Sequence, residues 1–168
     1  CARAAAGGVA IVPEVDLPGH CFAALAAVPA LRDPDDRSGA VSVQSFGDNV
    51  LNPGVDATRP FLEAVAGALA DLFPSPWLHV GGDEVADGAW SRSPAAQAYA
   101  AARGIEGSSA VGAAFMAEII ELVSATTGRR VGVWQEAAES GALRPGEGYV
   151  VGWKSSADCR RLAAAGHT

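Results

Sequence analysis

Four short valine- and isoleucine-containing runs, Val9–Val15, Leu78–Gly81, Arg130–Trp134 and Tyr149–Trp153, set the tightest limit on how this chain can fold. Each is too short for a helix and shows no polar face, the pattern of a strand buried on both sides as in a parallel sheet. Helical patterns lie between them. Thr58 and Pro60 open a segment in which Leu62, Val65, Leu69, Leu72 and Phe73 recur at helical spacing, and Pro74 closes it. Ser93 before Pro94 reads as an N-cap followed by proline at the first helical position. From Ser109, the residues Val111, Phe115, Ile119, Leu122 and Val123 form an apolar stripe with Glu118 and Glu121 outside it, and Gly128 is the expected stop. His20–Leu31 and Ala157–Ala165 are shorter helical candidates, and Arg32–Asp56, rich in Asp, Gly, Ser and Asn, reads as a long functional loop.

Alternation of strand and helix implies right-handed crossovers and a parallel sheet. Four strands do not close a barrel, so the pattern fits either half of an eight-stranded barrel or a piece of a doubly wound sheet. The polar residues favour the barrel. Each strand carries its unusual residues just past its C-terminal end, in DLPGH, GGDE, WQEA and WK, where barrel active sites gather. The expected class is therefore α/β, a partial (β/α)8 TIM barrel.

Composition narrows the partner. The 168 residues are 49% hydrophobic and 18% charged, as a globular domain is. A net charge of −7 with no basic run argues against a nucleic-acid groove or an anionic membrane surface, and a neutral or mildly cationic partner fits better. No apolar run approaches the ~20 residues that a membrane span needs. Cys1, Cys21 and Cys159 are too scattered for a zinc knuckle or a disulfide framework. The start, CARAAAGG, lacks a signal-peptide pattern and reads as the tail of an earlier helix, so the chain is expected to be a piece of a longer protein.

Chemistry concentrates in GGDE. Two glycines permit the backbone to leave strand geometry, which lets Asp83 and Glu84 both turn toward a barrel mouth. Equally, the two acids could simply begin a helix, where negative charge is favoured. Two carboxylates held close tend to divide into one that keeps its proton and one that does not, which suits a division of labour. PEVDLPGH adds Glu14, Asp16 and His20. A metal site would gather Asp16, His20, His79, Asp83 and Glu84, but no HxH or HExxH spacing supports it. His20 is either a loop or capping residue or a partner that tunes a catalytic carboxylate. Trp134 and Trp153 at strand ends are either core residues or the flat apolar walls against which sugar rings and small acyl groups pack. Gln135 and Glu136 could add polar contacts, while Trp77 and Trp90 read as structural.

In order and spacing, VPEVDLPGH, the passage VLNPGVDATRPFLEAVAGALADLFPSPWLHVGGDEV, then VGVWQEA and VVGWK resemble the catalytic domain of glycoside hydrolase family 20, the β-N-acetylhexosaminidases. The resemblance runs nearly end to end and implies strands three to six of a (β/α)8 barrel. It also implies a departure from the usual pair of glycosidase carboxylates. The nucleophile is the carbonyl oxygen of the substrate's own 2-acetamido group, which closes to an oxazolinium ion. By position, Glu84 resembles the family's general acid and Asp83 the carboxylate that orients the acetamide. His20 matches the histidine linked to the acid. Trp134 and Trp153 match the enclosing aromatics, and Asp16 matches an acid that supports its neighbours from behind. The implied substrate is an N-acetylhexosamine-terminated oligosaccharide or glycoconjugate, with no metal or organic cofactor. The family's sugar-gripping arginine falls before residue 1, and a tyrosine and a further tryptophan fall after residue 168. Asn52 stands where many members have cysteine, so a disulfide to that loop does not carry over. Two rivals remain: a metal-dependent hydrolase on the same barrel, which chelation would reveal, and a non-catalytic sugar-binding descendant, for which a proton donor would be superfluous.

Overall fold

A computed structural model of the chain describes residues 1–34, 36, 38–39, 49–86 and 88–168. Its centre is a parallel sheet of β1 (Glu14–Leu17), β2 (Trp77–Gly81), β3 (Arg130–Trp134) and β4 (Gly148–Val151), in the spatial order β1-β2-β3-β4. Spatial order equals chain order, so the sheet has no point at which the order reverses, as a doubly wound sheet would. This is barrel topology. Register runs from Glu14 opposite His79, through Trp77 opposite Arg130, to Val131 opposite Gly148.

Around the sheet lie α1 (Ala2–Ala6), α2 (Phe22–Ala27), a 3-10 turn (Pro29–Leu31), α3 (Thr58–Leu72), α4 (Pro94–Arg103), α5 (Ser108–Thr127), α6 (Gln135–Glu139) and α7 (Ser156–Ala164). Ser93 caps α4 as its position predicts, accepting the Ala96 N–H, and Gly128 ends α5 in the left-handed region. The end of α3 is secured from a distance: the Arg129 guanidinium donates to the Phe73 and Ala70 carbonyls, satisfying acceptors that the helix itself leaves unpaired. Helix α6, inside the short β3–β4 connection, is an element the sequence pattern did not reveal.

Three expectations need correction. The first strand begins at Glu14, and Val9, Ile11 and Val12 are exposed, because no strand among the described residues pairs with them. The strands are also two-faced rather than uniformly apolar. Leu17, Leu78, Val80, Val131 and Val133 join the core shared with α3 and α5. Side-chain alternation puts His79 and Gly81 on the other face, where His79 meets the rings of Trp134 and Tyr149. Finally, α5 is long and apolar enough, by length and composition, to cross a membrane, contrary to the expectation that no apolar run approaches that length. Here Val111, Phe115, Ile119, Leu122 and Val123 are buried, which is the packing of a core helix. Of the loop expected over Arg32–Asp56, residues 35, 37 and 40–48 lie outside the described residues, and the described remainder contains no helix or strand.

Candidate active site

The double glycine of GGDE answers to steric demands from two neighbours, strand β1 and helix α6. Gly81 has φ +74°, and a Cβ there would overlap the carboxylate of Asp16 on β1. Gly82 has φ +100°, and a Cβ there would stand 2.7 Å from the Ala137 side chain. Only glycine combines that backbone with that closeness. The chain therefore bends as it leaves β2, and the Gly82 N–H donates to Asp16 Oδ1 at 3.2 Å. Glu84 follows with φ 48° and His20, across the mouth, with φ 52°; both are non-glycine residues in a costly region of backbone space. Such strain concentrates at functional sites.

These backbones bring four of the singled-out residues together. His20 Nε2 lies 3.3 Å from Glu84 Oε2, 3.9 Å from Asp16 Oδ2 and 4.0 Å from Asp83 Oδ2. Asp83 and Glu84 thus do not begin a helix. The buried Asp83 Oδ1 finds no hydrogen-bond donor among the described residues. A buried acceptor without a partner is costly, so this oxygen is suited to a donor on a ligand. Burial first, and then the charge of Asp83 beside it, push the Asp16 carboxyl up to about 8. That direction favours the protonated form of Asp16 at neutral pH. The raised carboxyl in this cluster is Asp16, on the strand beside the Asp83–Glu84 pair.

Ligand atoms of Asp16, His20 and Asp83 lie within 4.8 Å of one another, so three of the five residues gathered by the metal alternative do converge. His79 is not with them. Its Nδ1 stands 3.3 Å from Glu14 Oε1, and its ring meets Trp134 edge-on at 4.9 Å. Burial lowers its pKa, so the ring is neutral at pH 7.

On the β3–β4 side, Trp134 ends β3 and its indole N–H donates to Glu14 Oε1 at 2.8 Å. Glu14 is thus a site residue that sequence reasoning noticed without giving it a task; its place two residues before Asp16, on the same strand face, was the available signal. Trp153 departs from expectation: β4 ends at Val151, and Trp153 lies beyond it, 48% exposed. The cause is Gln135, fully buried, whose Oε1 accepts the N–H groups of both Trp153 and Lys154 and draws that backbone out of the strand ladder. The Trp153 indole donates to Glu136 Oε2 at 3.0 Å, and Lys154 Nζ pairs with Glu136 Oε1 at 2.8 Å. Between Glu84 and Trp153 opens a cavity of about 440 Å³, with Trp90 and Met116 in its wall. Trp90, read as structural, therefore also borders the site.

Comparison with known proteins is consistent across the chain. The family model for the glycosyl hydrolase family 20 catalytic domain matches residues 1–168. The chain is 47% identical over 104 residues, 61% of its length, to a beta-hexosaminidase of Vibrio furnissii, covering 17% of that protein. It is 30% identical over 163 residues to the human beta-hexosaminidase subunit beta, covering 95% of this chain and 29% of that one. A solved Vibrio harveyi GH20 exo-β-N-acetylglucosaminidase, in complex with N-acetylglucosamine, superposes with a TM-score of 0.89 at 32% identity, over 99% of this chain and 26% of that one. The chain thus spans less than a third of each of these relatives.

Proposed function

This chain belongs to glycosyl hydrolase family 20, and from that membership we propose that it carries the acid side of a β-N-acetylhexosaminidase, which removes terminal non-reducing β-linked N-acetylhexosamine (GlcNAc or GalNAc). In this reading, residues 1–168 supply about strands three to six of a single catalytic (β/α)8 barrel. Glu84 protonates the departing glycosidic oxygen while the substrate's acetamide oxygen attacks the anomeric carbon. The resulting oxazolinium is opened by water, which gives its proton back to Glu84. Configuration is retained because two displacements occur at one carbon.

The observation that carries this reading is the different partnering of two adjacent acids. Glu84 faces His20 at 3.3 Å, whereas Asp83 keeps one buried oxygen unpartnered among the described residues. Asp83 accepts the acetamide N–H and stabilises the positive charge that develops there, a preorganised electrostatic role. Asp16, whose carboxyl is raised to about 8 beside Asp83, supports it from behind. His20 orients Glu84, and Trp134 and Trp153 give the sugar and its acetamide apolar faces to pack against.

The decisive experiment compares two aryl glycosides that differ only at the 2-position. The N-acetyl compound is expected to turn over and the 2-hydroxyl compound is not, since it carries no internal nucleophile. Comparable turnover of both would falsify the substrate-assisted mechanism. A second reading rests on the convergence of Asp16, His20 and Asp83, which makes a metal-dependent hydrolase concrete. Activity lost to a chelator and restored by zinc would replace the first reading with this one.

A further inference from the structure

Asn52 lies outside the proposed chemistry, yet it sits at the junction of three segments. Its side chain is 4% exposed, and Nδ2 donates to Asp33 Oδ2 at 2.7 Å and to Ser93 Oγ at 2.8 Å. The Ser93 hydroxyl donates to the same Asp33 oxygen while accepting the Ala96 N–H that caps α4. Asn52 Oδ1 accepts the Gly54 N–H at 2.8 Å, and the Asn52 carbonyl accepts the Thr58 hydroxyl at 2.7 Å. The stretch after the 3-10 turn, the approach to α3 and the start of α4 meet here. A buried polar network whose members satisfy one another resists sliding, because any shift leaves a desolvated donor or acceptor unpaired.

The residues next to Asn52 grip both arms of the site. Leu51 N–H donates to the Pro18 carbonyl at 2.9 Å and Cys21 N–H to the Asn49 carbonyl at 2.8 Å, bracketing the turn that carries His20. On the other side, the Leu51 carbonyl accepts the Trp90 indole N–H at 3.0 Å. Trp90 is buried, edge-on to Phe115 at 6.3 Å, and lines the cavity that Glu84 also lines. One short segment is therefore bonded both to the His20 turn and to the loop that follows Glu84.

We propose that the buried Asp33–Asn52–Ser93 network is a positioning latch for catalysis, fixing the two loops so that His20 and Glu84 meet. None of the three lines the cavity beside Glu84. They act through the Leu51 backbone and Trp90, and the inference rests on the reading of Glu84 as proton donor.

The test uses the intact enzyme and a reciprocal swap. Asn52→Asp sets two carboxylates against each other, and Asp33→Asn combined with Asn52→Asp restores an amide–carboxylate pair with the roles exchanged. Misplacing the acid by a fraction of an ångström is expected to lower kcat on an unactivated disaccharide by about tenfold to a hundredfold in Asn52→Asp, and on an activated aryl glycoside by less than about threefold. The double variant recovers both. Hydrogen exchange in peptides spanning residues 18–22 and 49–54 rises in the single variant and falls back in the double. Ser93→Ala, which keeps the charges, gives a smaller loss with the same substrate pattern, and serves if Asn52→Asp does not fold. Equal losses on both substrates, or a double variant that folds without recovering, would overturn the latch. Glu84→Gln measured in parallel separates the two ideas: if it shows no dependence on leaving group, the acid assignment fails, and the exchange data alone judge the latch, with unchanged exchange overturning it.

Discussion

The two rims of the site are built by different means. At the ends of β1 and β2, geometry is set by backbone: positive φ at His20, Gly81, Gly82 and Glu84, and a glycine whose missing Cβ is filled by the Asp16 carboxylate. At the ends of β3 and β4, it is set by side chains: Gln135 holds the Trp153 and Lys154 amides, Glu136 holds the Trp153 indole and the Lys154 ammonium, and Glu14 holds the Trp134 indole. Backbone placement is stiff and suits the proton exchange over fixed distances proposed for this rim. A side-chain network can yield, which suits the sugar-packing walls proposed for the other. The charged rim should therefore be far less tolerant of change than the aromatic rim.

The sharpest break in that comparison is expected at Glu84. On the proposed reading, Glu84→Gln in the intact enzyme removes proton donation and should slow natural disaccharides by about 10²–10⁴-fold, with much less effect on aryl glycosides whose leaving groups depart without a proton. Uniform slowing of both substrate types would remove Glu84 from the role of acid. Next in size is Asp83→Asn, where loss of charge stabilisation should cost about 3 kcal/mol, near a hundredfold, on both substrate types alike. Kinetics on one activated and one unactivated substrate distinguish these outcomes.

A third test uses pH. Burial and the charge of Asp83 raise Asp16 from 3.8 to about 8, so the folded state binds a proton that the unfolded chain releases. The native state holds more protons in that window, so the Asp16 contribution to stability is complete below about pH 3.8 and is lost as pH rises through about 8. Asp16→Asn cannot ionise, and its melting temperature should fall less steeply with pH over that range than the wild type's. Parallel curves would show that Asp16 carries no retained proton. The smallest effect is expected on the other rim. Lys154→Met breaks an ion pair with Glu136 that stands at the surface, worth no more than about 1 kcal/mol of stability. Its kcat should stay within a small factor of wild type; a loss as deep as that of Asp83→Asn would erase the distinction between the rims.

Much of this was legible in the sequence, because local rules sufficed where local chemistry decides. Ser93–Pro94 announces the start of α4, the stripe Val111–Phe115–Ile119 announces α5, and GGDE announces a strand that ends in an abrupt turn. Val9–Val12 has strand composition yet forms no strand, because strand formation needs a hydrogen-bonding neighbour. Helix α6 leaves no pattern in the sequence because five residues are too few to show a period.

By itself, the sequence determined the alternation of strand and helix, the crowding of unusual residues at strand ends, and the family to which GGDE and its companions belong. The first two depend on residues close together in the chain, and the family on the order of such local motifs along it. Tertiary structure alone decided that Gly81 makes room for Asp16, that Gln135 pulls Trp153 out of β4, that Arg129 caps α3, and that Asn52 joins Asp33 to Ser93. The partners in each case stand apart in sequence and meet only when strands, helices and loops pack together. Their energies come from desolvation and distance, quantities that a linear order of residues does not contain.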